Sequence, residues 1–551
     1  MTAEVLKAAL VAAAAVAWIA LFLRIALVAA RMYQIEEYEG RRLLGWGGTR
    51  AWLLHRSALV AAAPVALATA FALTDTAREG IRAVIATAWL GGACAGQLVW
   101  RWLPPKKELV LTPRMRRLLA TTTVLAGLIA AAVSLALNGG PVWLAGVTAT
   151  AVALAVTALT LLLLPAANAV NAPLESSIRR GFLRRARRRV QQFDPLVIAV
   201  AGSYGKTSTK HILAHMLEKY GSTLATPKSF NTLMGVSKTI NDDLEQTHRT
   251  FIVEMDAYSP GEIAAICALV RPRDAIVTSV GPQHLERFGT LERIRGALYE
   301  TIEALPADGF AVVYAGDEQT ALLAAQARAA GRDVVRYGIE DESRELDVVA
   351  AGVRVTGAGS QFTWLWPAVG LQHDVAVPLL GRHQVLNVSA ALAAVHRLGL
   401  PLQAALDSVA SLRPVEHRLQ PVATGNAVTV IDDSYNANPV GVHNGLEVLA
   451  ELDARSRILV TPGLVELGPV EDAENRRYGE HAARVCDHVI VMDARPGRAV
   501  LEGLRAGGLP NDRVHLVRSL ADATAVIGRI AVAGDAVLFA NDLPDTYLGS
   551  T

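Results

Sequence analysis

The stretch Gly202-Ser203-Tyr204-Gly205-Lys206-Thr207-Ser208-Thr209-Lys210 combines residue types suited to holding phosphate. Glycines let backbone amides approach an anion closely, a lysine reaches terminal phosphate oxygens, and a threonine hydroxyl can ligate Mg²⁺. Gly202, Ser203, Gly205, Lys206, Thr207 and Ser208 are therefore candidate nucleotide-binding residues. The general phosphate-loop spacing asks for a glycine five places before Gly205, and Val200 stands there. Glu254, closing the apolar run Thr250–Met255, is a candidate metal ligand. His284, in Gly281-Pro282-Gln283-His284, can ligate a cation or orient a carboxylate. Taken alone, His284 reads as an ordinary surface histidine.

These groups need a scaffold that brings strand ends together. Leu196–Val200 reads as a buried strand feeding the glycine loop, and His211–Tyr220 as the helix after it. Thr250–Met255 and Ala275–Val280 read as further buried strands, with Glu254 and His284 at their C-terminal edges. Ligands of open parallel sheets bind at such edges. From about residue 195 onward, short apolar runs alternate with amphipathic helices, the pattern of parallel α/β layers.

The front of the chain has another texture. The 551 residues are 52% hydrophobic and 19% charged, with net charge +2 and mean hydropathy +0.31. That balance excludes a disordered chain and gives no global field for nucleic acid. Only eight of the 53 basic residues are lysine, and three distant cysteines (Cys94, Cys267, Cys486) make neither a disulfide framework nor a thiolate metal site. Apolar stretches at 7–30, 52–73, 82–103, 118–137 and 142–164 each approach the length of a bilayer-spanning helix. Basic loops (Arg31, Arg41, Arg42 and Arg50; Arg101 to Arg117) alternate with poor ones. The expectation is a five-span transmembrane bundle over 1–168, the N-terminus outside, and a multi-pass cell-membrane protein with its catalytic part in the cytoplasm. An arginine-rich juxtamembrane linker then covers 169–194.

From about 195 to 551 the chain resembles the ATP-dependent Mur ligases, most closely the branch that adds D-alanyl-D-alanine in peptidoglycan synthesis. The segments carrying the resemblance are Gly202–Lys210, Ser229–Val236, Glu254-Met255, Gly281–Gly289, Gly381–Asn387, Arg418, Asp432–Pro439 and Glu466–Gly468, in that order. The resemblance implies a central P-loop ATPase domain over 195–412 and a Rossmann-like domain over 413–551. It implies ATP and Mg²⁺ as cofactors and ADP-forming amide ligation through an acyl phosphate, with an amino acid or dipeptide as the amine. Lys206, Glu254 and His284 become the catalytic set, Thr207 and Glu254 hold one Mg²⁺, and His284 helps hold a second. Asn387 reads adenine, Asp433 the ribose and Arg418 the phosphates; Asp433 also suits a helix N-cap. Asn231, Tyr435 and Asn436 are substrate-contact candidates.

Two departures stand out. The family usually carries a carbamylated lysine on the helix after the histidine motif, where this chain has Leu298; the second Mg²⁺ is then expected to be held otherwise, with Glu300 or Glu303, or to be bound less tightly. The family's N-terminal UDP-gripping domain is replaced by the apolar stretches. That suggests a lipid-linked or membrane-presented carboxylate substrate, with envelope-synthesis subunits as partners. A poly-γ-glutamate-type synthase and a non-catalytic ATP-binding membrane scaffold are the alternatives.

Overall fold

The computed structural model describes residues 22–36, 38–50, 109–137 and 142–540, apart from 229, 284, 341, 343, 344, 357, 358, 415, 416, 423–426, 435–438, 466, 493 and 494. The chain divides into two compact units, Met1–Arg180 and Gly181–Thr551.

In the first unit, Ile25, Ala29, Tyr33, Leu43, Met115, Leu118, Leu161 and Leu164 form an apolar cluster. The helices Pro113–Leu137 and Val142–Phe193 also meet through polar groups. Arg117 donates to both Glu175 oxygens at 2.7 and 3.0 Å, Arg114 to Asn168 at 3.3 Å, and Thr121 to Asn171 at 3.0 Å. Among the described residues no helix is long and apolar enough to cross a membrane. This corrects the expected transmembrane bundle, and with it the cell-membrane placement and the case for a membrane-presented acceptor. Hydropathy marks apolar runs, but the helices have other limits. One opens on Arg114, Arg116 and Arg117, while the other continues past Pro165 and Pro173 into the arginine run. The stretches at 52–73 and 82–103, and most of 7–30, lie outside the described residues.

The second unit holds two sheets. The first has the order β2-β3-β1-β4-β5-β6-β7-β8-β9. Its strands are β1 (Leu196–Ala201), β2 (Thr223–Ala225), β3 (Thr250–Met255), β4 (Asp274–Val277), β5 (Phe310–Tyr314), β6 (Asp333–Ile339), β7 (Val348–Thr356), β8 (Gly359–Trp366) and β9 (Leu371–Val377). Pairing is parallel from β2 to β7 and antiparallel through β8 and β9. Strand β1 is covered on both faces: Val197, Ala199 and Ala201 enter one core, Ile198 and Val200 the other. A strand buried on both sides is continuously apolar, which is why β1 reads so clearly in sequence.

The second sheet runs β10-β11-β15-β12-β13-β14. It comprises β10 (Gln420–Val422), β11 (Thr429–Asp433), β12 (Arg457–Thr461), β13 (His488–Met492), β14 (Val514–Val517) and β15 (Ala536–Ala540), parallel except for β10. In the first sheet Val200 is in register with Glu254 and Ala201 with Val277. The loops after β1, β3 and β4 therefore emerge side by side.

Candidate functional site

The loop after β1 turns sharply into the helix Lys206–Leu217. Gly202 has φ +142° and Gly205 +78°. A Cβ on Gly202 would strike the Thr278 hydroxyl, and one on Gly205 would lie 2.8 Å from Asn387 Oδ1. The loop is braced from β4's end: Tyr204 N donates to Ser279 Oγ at 2.7 Å, and Gly281 N to Ser203 Oγ at 2.9 Å. Gly205→Ala should strain the turn by about 1–2 kcal/mol. It should also displace Asn387, weakening binding of a fluorescent ATP analogue about tenfold.

Lys206 is buried and donates to the carbonyls of Gly202 and Ser203 at 2.6 and 3.2 Å. It also lies 3.3 Å from both Gln283 Oε1 and Asp256 Oδ2. Thr207 Oγ1 donates to Glu254 Oε1 at 3.1 Å. The other Glu254 oxygen accepts from Lys210 at 2.9 Å, and Lys210 donates onward to the Lys228 carbonyl at 2.8 Å. Burial pulls the Lys210 ammonium below its usual range, with Glu254 opposing. Asn231 bridges the carboxylates, its amide lying 3.2 Å from Glu254 and 3.5 Å from Asp256.

Across the cleft, Asn387 sits on the helix Arg382–Arg397. Thr209 Oγ1 donates to its oxygen at 3.0 Å, and its nitrogen donates to Gln384 at 3.1 Å. Asp433 ends β11 and accepts the Leu419 amide at 3.2 Å. The following helix begins only at Pro439. Burial pushes the Asp433 carboxyl up to about 7, against the Arg418 guanidinium and the Leu419 amide. A raised carboxyl pKa gives stability that is fully present below the ordinary carboxylate range and is lost as pH rises through about 7. Asp433→Asn should therefore flatten the fall in urea midpoint between pH 5 and pH 8. An unchanged slope would refute that environment.

Ser203, Gly205, Lys206, Thr207, Ser208, Asn231, Glu254, Asn387, Arg418 and Asp433 all line one cavity of about 830 Å³, formed by groups from both sheets. Gly202 borders a smaller cleft behind the loop. His284, Tyr435 and Asn436 lie outside the described residues. Sequence reading gave no role to Asp256 and Lys210. Both were within reach of periodicity: Asp256 follows Glu254 by two positions beyond a strand, and Lys210 follows Lys206 by one helical turn. It also missed the far end of the cavity, where Tyr314 and Tyr337 meet at 5.7 Å. There Tyr314 OH donates to Glu342 at 2.5 Å.

Leu298 is buried in the core beneath the first sheet. Glu300 accepts the Gly261 and Ala264 amides at 2.7 and 2.9 Å. Neither Glu300 nor Glu303 lines the large cavity. Beside Lys206 the donors are the Thr207 hydroxyl, the Glu254 and Asp256 carboxylates and the Asn231 amide, hard oxygen donors that suit Mg²⁺ completed by water and phosphate. A lysine ammonium and a glycine turn at a helix start suit the phosphates themselves.

Known proteins share this sequence pattern and fold. Residues 200–395 match the Mur ligase middle domain, and 417–541 the Mur ligase glutamate ligase domain. The chain is 32% identical over 330 residues to the UDP-N-acetylmuramoyl-tripeptide--D-alanyl-D-alanine ligase of Escherichia coli, covering 60% of this chain and 71% of that one. It is 35% identical over 328 residues to the same-named ligase of Mycobacterium tuberculosis, covering 57% and 62%; the chain thus spans just under two thirds of that relative. Among solved structures, MurF from Acinetobacter baumannii superposes with TM-score 0.59 at 26% identity, over 66% of this chain and 77% of that one. MurF from Thermotoga maritima in complex with ADP gives 0.58 at 25% identity, over 66% and 80%. The chain belongs to the Mur ligase family, ADP-forming ligases that use ATP and Mg²⁺ to join a carboxylate to an amine.

Proposed function

We propose that this chain activates a carboxylate of a peptidoglycan precursor as an acyl phosphate and couples it to D-alanyl-D-alanine or a similar dipeptide. The supporting observation is the single cavity in which Lys206, Thr207 and Glu254 face Asn387, Arg418 and Asp433. The donor follows the relatives' names, which specify D-alanyl-D-alanine and a UDP-N-acetylmuramoyl tripeptide.

The reading assigns each residue a task. Loop amides and Lys206 hold the β- and γ-phosphates, and Arg418 adds charge from the other side. Asn387 reads the base, and Asp433 accepts from the ribose hydroxyls. Thr207 and Glu254 would hold Mg²⁺, with His284 beside the acyl group; Mg²⁺ supplies charge neutralisation during phosphoryl transfer. Asn231 keeps the two carboxylates apart, while Tyr435 and Asn436 contact substrate. Residues 195–412 act as the activating domain and 413–551 as the domain that completes the nucleotide site.

The chemistry balances in two steps. A carboxylate oxygen attacks the γ-phosphorus and ADP leaves; the amine then attacks the acyl carbon, and phosphate leaves carrying that oxygen. Phosphoryl transfer of this kind depends on positioning and fixed charge, which the buried loop and its lysine provide. With an oxygen-18-labelled acceptor carboxylate, one label should appear in the released phosphate. Unlabelled phosphate alongside amide product would refute the acyl-phosphate route.

A further inference from the structure

We propose that Asp256 is a divalent-cation ligand of this site, holding a cation at the acyl side of the cavity. The inference rests on reading the cavity as the Mg²⁺- and ATP-using centre.

Asp256 and Glu254 sit close in space but differ in charge balance. Glu254 is 1% exposed and already neutralised by Lys210, itself 0% exposed and donating at 2.9 Å. Thr207 and Asn231 reach its other oxygen, the one that would face the first Mg²⁺. Asp256 has a side chain 14% exposed, and its ion pair is with Lys206 at 3.3 Å. Its Oδ1 accepts the Ala257 amide at 3.0 Å, and its Oδ2 meets the Asn231 amide only at 3.5 Å. When nucleotide phosphates draw the Lys206 ammonium, the Asp256 carboxylate is left mostly buried beside incoming negative charge. Mostly buried carboxylates need a cation or strong donors, and like charges at this distance repel strongly in low dielectric. A divalent cation shared between Asp256 and substrate oxygens turns that repulsion into attraction.

The surroundings leave this task to Asp256. It borders both the large cavity and a 20 Å³ cleft shared with Gly202, Gln283 and Leu298. On that side the helix Leu291–Glu303 presents Leu298, an apolar wall that can neither neutralise nor ligate. The Glu300 carboxylate on the same helix is committed to the Gly261 and Ala264 amides. Asp256 is thus the carboxylate that can serve a cation there, among the described residues.

The test is Mn²⁺ binding to the full chain with a non-hydrolysable ATP analogue, followed by electron paramagnetic resonance. The unaltered chain should bind one Mn²⁺ with the nucleotide and a second, weaker one. Asp256→Asn should weaken the second at least about tenfold, retain the first and the analogue, and Asp256→Glu should restore the second. If Asp256→Asn alters analogue affinity while the Mn²⁺ count stands, Asp256 only tethers Lys206 and the proposal falls. Failure of the unaltered chain to bind the analogue would overturn the underlying reading as well. Analogue binding with a single Mn²⁺ in both forms would overturn the Asp256 assignment alone.

Discussion

Lys206→Ala should lower ADP-forming turnover about 100- to 1000-fold, the loss typical of removing one preorganised charge from a transition state. Lys206 starts the helix at the glycine turn, and its ammonium lies among the Gly202 and Ser203 carbonyls, Gln283 and Asp256. It is therefore held at the phosphate end of the cavity before any nucleotide arrives. Arginine should not rescue it. A planar fork directs its donors differently from a compact ammonium, and the space around Lys206 is enclosed by loop backbone. The decisive comparison is turnover against analogue binding, because a transition-state role lowers turnover by more than it weakens binding. Near-wild-type turnover by Lys206→Ala would remove Lys206 from the reaction.

The second large effect concerns the pair behind the loop. Lys210→Met should destabilise the second unit by about 3–5 kcal/mol, because it leaves the Glu254 carboxylate buried without its cation. Glu254 is 1% exposed and its Lys210-facing oxygen has no water to turn to. Lys210→Met combined with Glu254→Gln should recover most of the loss, since no unpaired charge then remains. A double-mutant cycle in urea measures this coupling directly. Additive losses would mean that the two charges do not interact as the 2.9 Å contact indicates. Lys210 also fixes the Lys228 carbonyl, and Lys228 sits at φ +49° in the loop leading to Asn231. Lys210→Met should therefore loosen the cavity wall as well as the core.

How much of this was legible in sequence follows from which features are local. The loop and strand β1 are local: glycine, lysine and threonine act within one turn, and a strand covered on both faces is apolar throughout. The helix nevertheless begins at Lys206 rather than His211, because Gly205 takes a left-handed conformation and starts it at once. Roles that depend on packing across the fold stayed hidden. Asp256 gains meaning only when Asn231 and Lys206 are brought beside it. The Tyr314–Tyr337 end of the cavity requires β5 and β6 in register.

Glu300 shows the reverse. Its type and position suited a metal ligand, yet the free amides of a neighbouring helix start claim its carboxylate. The apolar front misled for a related reason. Hydropathy sums side chains along the chain and is blind to pairs such as Arg117–Glu175 and Thr121–Asn171, which join residues 58 and 50 positions apart.

The most direct test of the ligase assignment is ADP release by the purified full chain with Mg·ATP. The substrates are a UDP-muramoyl tripeptide and D-alanyl-D-alanine, each supplied alone and then together. ADP release and amide product that require both substrates are the predicted result. ADP release indifferent to the amine, or amide formation without ADP, would rule out coupled ligation at this site.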